Sequence, residues 1–68
     1  MMLSELDIRI CEFIKSRKPQ KVSAMVIASK MGVRHTPRFE QRVLKLTEKV
    51  KAVKGELVFN VNCFYWEE

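Results

Sequence analysis

The apolar residues of this chain change their spacing once, close to Lys54 and Gly55. Before that point they recur at helical intervals: Leu6, Ile10, Phe13 and Ile14, then Phe39, Val43, Leu46 and Val50. After it they alternate. Leu57, Phe59, Val61, Cys63 and Tyr65 fall on one side of an extended strand, and Val58, Asn60, Asn62, Phe64 and Trp66 on the other. Helical period followed by strand period predicts an α+β domain: helices first, then a C-terminal β-hairpin. Lys54-Gly55 reads as the hairpin turn, and the set that begins with Leu57 reads as the face laid against the helices.

Local signals place the helices. Ser4 suits the N-cap of a first helix, with Asp7 three residues on near its positive end. Pro19 stops that helix, because the residue before a proline avoids the α region. Lys15, Arg17 and Lys18 form a basic connector at its negative end. Val22 can form a short strand, and Ser23 caps a second helix running to Met31. Val26, Ile27, Ala28 and Met31 supply that helix's apolar contacts, and Gly32 ends it, since it accepts a positive φ without cost. Thr36 caps a third helix, about 37–50, with Pro37 in its first turn, where the missing N–H is no loss. At about 100° per residue, Gln41 and Glu48 lie nearly opposite the apolar stripe of this helix, with Arg38, Arg42, Lys45 and Lys49 near them.

Residues 1–68 form one domain, close to the lower size limit for folding alone, and 47 % hydrophobic residues suffice for a core without disulfides or metal. The net charge of +5 is unevenly spread. Residues 15–54 hold twelve Lys and Arg against Glu40 and Glu48, whereas both flanking segments are acidic. A chain basic only in its middle is expected to present one basic face, the footprint of phosphate binding. No apolar run is long enough to cross a membrane, and "MMLSELDIRI" lacks the basic and apolar regions of a signal peptide. A cytoplasmic setting is expected, with Cys11 and Cys63 as reduced, packed thiols.

The order helix, short strand, helix, helix, hairpin resembles a winged helix-turn-helix domain over nearly the whole chain. The local signature is "IASKMGV", residues 27–33. Ala28 would sit where the third helix crosses closely, and Gly32 would make the turn. Apolar positions follow this glycine at seven, then four, then three residues: Phe39, Val43 and Leu46. The first interval is one residue longer than is common in that family, so the turn is expected to differ from the usual one.

The resemblance implies a double-stranded DNA-binding protein, a transcriptional regulator whose third helix enters the major groove. Thr36, Arg38, Gln41 and Arg42 are then the candidate base contacts, since Arg suits guanine and Gln suits adenine in bidentate pairing. Arg34, His35, Lys45 and Lys49 are candidate phosphate contacts. Lys51 and Lys54 belong to the wing of the resemblance, with backbone contact expected there. A homodimer or a protein partner is expected, because so small a domain makes few specific contacts alone.

A protein-interaction module, or a small inhibitor of a host protein, is the competing reading. It rests on the aromatic end "NCFYWEE". Phe64 and Trp66 either pack under the first helix or form an exposed anchor for a partner. No enzyme, small-molecule substrate, cofactor or metal is expected. There is no Gly-rich phosphate loop, no nucleophile paired with a base and no metal-ligand spacing, and His35 has no evident catalytic partner.

Overall fold

The computed structural model describes residues 3–68; Met1 and Met2, at the head of the N-terminal stretch quoted above, lie outside them. The order is α1 (Glu5–Ser16), β1 (Val22–Ser23), α2 (Ala24–Met31), α3 (Pro37–Lys49), β2 (Val53–Val58) and β3 (Val61–Trp66). The strands form one antiparallel sheet in the order β1-β3-β2. The fold is therefore α+β, three helices with a C-terminal hairpin and a short added strand, in a winged helix-turn-helix layout.

Each helix begins on a side-chain cap. Ser4 accepts from the Asp7 N–H at 3.1 Å, Ser23 from Val26 at 3.2 Å, and Thr36 from Phe39 at 3.1 Å. These bonds satisfy amide groups that the helix itself leaves orphaned. Gly32 closes α2 at φ 73°, and the Val33 N–H returns to the Ala28 carbonyl at 3.0 Å. That left-handed residue is what turns the chain toward α3.

The core lies between the helices and one face of the sheet. Ile10 and Ile14 of α1, Ile27 and Ala28 of α2, and Phe39, Val43 and Leu46 of α3 are buried with Val53 and Phe64 of the sheet. Val26 departs from expectation by lying exposed. Cys11 is buried, Cys63 half-buried, and both thiols are free. Burial first, then the nearby Asp7 and Glu12 carboxylates, raise the Cys11 pKa, so its reactive thiolate is disfavoured. Among the described residues no helix is long and apolar enough to cross a membrane.

The hairpin differs from the sequence expectation in both turn and face. Lys54 and Gly55 are not a turn; they lie inside β2, paired with Tyr65 and Phe64. The turn is Phe59-Asn60, at φ 50° and 64°, between the paired residues Val58 and Val61. Two successive positive φ values are the mark of the tight primed turns whose twist suits a hairpin. The face reverses with it. Phe64 is fully buried, while Phe59 is 96 % exposed. Asn62, Phe64 and Trp66 thus turn toward the helices, and Val61, Cys63 and Tyr65 toward the outer side. Side chains alternate strictly along a strand, so the two-residue turn reverses the positions of β3, while Leu57 of β2 keeps the helix side, opposite Asn62. Neither space nor backbone angle demands a glycine at 55: a Cβ built there would make ordinary contacts, 3.5 Å to the Thr47 methyl and 3.6 Å to the Phe64 ring.

Candidate functional site

Helix α3 carries three distinct faces, set by its period. Phe39, Val43 and Leu46 enter the core. Glu40 and Thr47 turn toward the hairpin, where Glu40 meets Asn62 and Thr47 meets Gly55. The remaining face holds Arg38, Gln41, Arg42, Lys45 and Lys49, all exposed. These five line a hollow together with Asp7 of α1.

Two further hollows adjoin it at the start of α3. One is lined by His35, Thr36, Pro37, Glu40 and Gln41; the other includes Val33, Arg34, Thr36, Arg38 and Arg42. Thr36, Arg38, Gln41 and Arg42 are shared among the three hollows and so form one continuous surface. Arg34 and His35 flank it on the connector, and Lys45 and Lys49 extend it along the helix. Lys51 and Lys54 stand apart, in a separate hollow with Ala52, Glu67 and Glu68.

The two carboxylates on α3 leave the basic face largely uncompensated. Glu40 Oε2 accepts from Asn62 Nδ2 at 2.7 Å, and Glu40 Oε1 lies 2.9 Å from His35 Nε2. The Asn62 hydrogen bond, and then the His35 contact, hold the Glu40 carboxyl below its usual pKa. Among the described residues Arg38, Lys45, Lys49 and Glu48 make no ion pair. Thr36 Oγ1 is engaged as the cap of α3, which leaves its hydroxyl proton free to donate.

Asp7 also belongs to this surface, although its place in the sequence marks it only as a helix-end charge. It is 7 % exposed, and its Oδ1 has no hydrogen-bond partner. The nearest cation is Arg42, whose Nη1 lies 3.9 Å from that oxygen. This approach depends on how α1 crosses α3, which no local spacing reveals.

The C-terminal aromatics do not form an exposed anchor. Phe64 is core. Trp66 is half-buried beside α1, with Lys15 Nζ 5.5 Å from its ring centroid and its Nε1 donating to Glu68 at 3.1 Å. Exposed apolar surface lies instead at the hairpin tip, where Leu57, Phe59 and Val61 all face solvent. No group of three or more side chains suited to hold a metal ion occurs among the described residues.

Comparison with protein-family models, with curated proteins and with solved structures finds no match to this chain.

Proposed function

We propose that this protein binds double-stranded DNA, as a transcriptional regulator, by laying α3 in the major groove. The observation that carries this reading is the joint projection of Arg38, Gln41, Arg42, Lys45 and Lys49 from one face of one helix. A helix fits the major groove, and such a row of cations displaces counterions from the phosphates beside it. Glu40 supports the reading by facing away, toward Asn62 and His35, where it cannot neutralise the arginines.

The roles follow from position and chemistry. Arg38 and Arg42, near the N-terminal end of α3, offer bidentate donors suited to guanine. Gln41 between them suits adenine, and the Thr36 hydroxyl can donate at the edge of the site. Lys45 and Lys49 lie further along the helix and suit phosphate, as does Arg34 on the connector. His35 reaches a phosphate only by loosening its contact with Glu40. Lys51 and Lys54 sit beside Glu67 and Glu68, so their share in binding is small.

The test is a fluorescence anisotropy titration with a mixed-sequence duplex of about 25 base pairs, repeated across salt. Expected is micromolar affinity whose logarithm falls linearly with log salt, with a slope of about −4 if four or five phosphates are neutralised. Absence of binding at low salt would overturn the reading. A protein-interaction module then becomes the better account, with the hairpin tip, in place of the aromatic strand, as its contact surface.

A further inference from the structure

One carboxylate of α1 is buried against the basic face and lacks a full complement of hydrogen bonds. Asp7 is 7 % exposed, its Oδ1 is screened from solvent, and no donor reaches that oxygen. A buried acceptor without a donor is costly, and more so when it carries charge. Ser4 and Asp7 stand at the spacing of a capping box, in which the acidic side chain turns back to the first residue's N–H. Ser4 Oγ does accept from the Asp7 N–H at 3.1 Å, but Oδ1 takes no part in such a bond. The nearest cation is Arg42 of α3, with Nη1 3.9 Å from Oδ1. That is about 1 Å beyond the length of a charge-assisted hydrogen bond. The two groups attract each other without being bonded.

We infer that Asp7 is the positioning residue for Arg42: on DNA its Oδ1 accepts a hydrogen bond from the guanidinium and fixes the plane in which Arg42 meets a guanine. The inference rests on the reading that α3 enters the major groove. Asp7 is the fixed partner, since it lies in the capped first turn of α1 and is buried there. Arg42 is the mobile one, with an exposed side chain that water solvates in the free protein. A groove excludes that water, and the attraction between the two charges grows as the local dielectric falls. The guanidinium carries its donors in a rigid fork, so a bond to Asp7 leaves enough of them for guanine O6 and N7.

The same carboxylate steers Arg42 toward bases and away from the backbone. Asp7 lines the hollow formed by Arg38, Gln41, Arg42, Lys45 and Lys49. A phosphate drawn to Arg42 would meet the Asp7 charge, whereas guanine O6 and N7 are neutral acceptors and meet no such repulsion. Arg38 has no such neighbour. Among the described residues it makes no ion pair, and Glu40 is turned to Asn62 and His35. Arg38 therefore loses more side-chain freedom when it settles on a base. Of the two arginines, Arg42 is the stricter reader.

The test is selection of duplexes from a randomised pool by the full chain, then anisotropy titration of the selected duplex and its single-base-pair variants. Arg42→Lys should lose discrimination at one base pair. Asp7→Leu, which removes the acceptor, should lose about tenfold at that same base pair and keep it elsewhere. Asp7→Asn, which keeps one weaker acceptor, should lose less there and bind a mixed-sequence duplex more tightly. Both retain the backbone N–H that Ser4 caps, and circular dichroism should show both folded. In the Arg42→Lys background Asp7→Leu should change discrimination no further, because its effect passes through the guanidinium. Discrimination unchanged by Asp7→Leu, lost evenly at all base pairs, or lost additively with Arg42→Lys would each overturn the inference and leave DNA binding standing. Binding without a preferred sequence would overturn it as well, since Arg42 then reads no base. Absence of any binding at low salt would instead overturn the DNA reading itself, and this inference with it.

Discussion

Asn62 of β3 donates a 2.7 Å hydrogen bond to Glu40 of α3, and so joins the hairpin to the helix that bears the basic face. The acceptor is a carboxylate, which makes the bond stronger than one between neutral groups. Asn62→Ala should lower stability by about 1 kcal/mol, because Glu40 is partly solvated and water replaces part of the missing bond. Urea denaturation of the two proteins would show it as a lower midpoint at unchanged slope. An unchanged midpoint would mean that the bond does not tie hairpin to helix in solution.

The same pair gives the fold a dependence on acid. The folded-state pKa of Glu40 lies below its unfolded value. Its contribution is therefore full above the unfolded pKa and is lost as pH falls through the folded one. Thermal melts from about pH 7 to pH 3 should show stability falling at the acid end, with a shallower fall in Glu40→Gln. Parallel profiles for the two proteins would remove Glu40 from the account.

Arg38→Ala with Arg42→Ala should weaken duplex binding without unfolding the domain, since both side chains are exposed. Discrimination between duplex sequences should fall while the salt slope moves little, since the two arginines are placed on base edges and not on phosphates. Asp7→Asn should act in the opposite direction on affinity. It removes a negative charge 3.9 Å from Arg42 and so raises duplex affinity. If both changes leave affinity and sequence discrimination as they were, the α3 face is not the binding surface.

Phe39 is 7 % exposed at the start of α3, and Phe39→Ala should cost about 3–5 kcal/mol. A domain of this size has little more than that to lose, so the variant should be largely unfolded at room temperature by circular dichroism. An ordinary cooperative melt would show that the cavity collapses at small cost.

Phe59 is a bulky residue at φ 50° with its ring in solvent, so its conformation carries strain without compensating burial in the chain itself. Phe59→Gly should raise stability by about 1 kcal/mol, read as a higher melting temperature in dilute solution, where any self-association is absent. A lower melting temperature would mean that the ring packs on the hairpin in a way its exposure does not reveal.

Much of this protein was determined by local sequence. Ser4, Ser23 and Thr36 mark helix starts because a short polar side chain reaches its own chain's orphaned amides. Gly32 marks a helix end because of a φ that strains other residues. The 4–3 spacing of Phe39, Val43 and Leu46 sets the phase of α3, and with it the side on which Arg38, Arg42, Lys45 and Lys49 emerge. Each of these depends on neighbours within about one helical turn.

The hairpin was decided by tertiary structure. Both faces of the run from Leu57 to Trp66 are apolar, so alternation alone does not say which face is inside. Gly55 has the character of a turn residue, and Phe59 does not. Packing reverses both assignments, because the strand that runs through Gly55 buries the Phe64 ring completely, and a ring in the core is worth more than the strain at Phe59. Asp7 beside Arg42, and Glu40 bonded to Asn62, join segments far apart in the chain. Helix crossing and strand register create these pairings, and neither is written in any short stretch of the sequence.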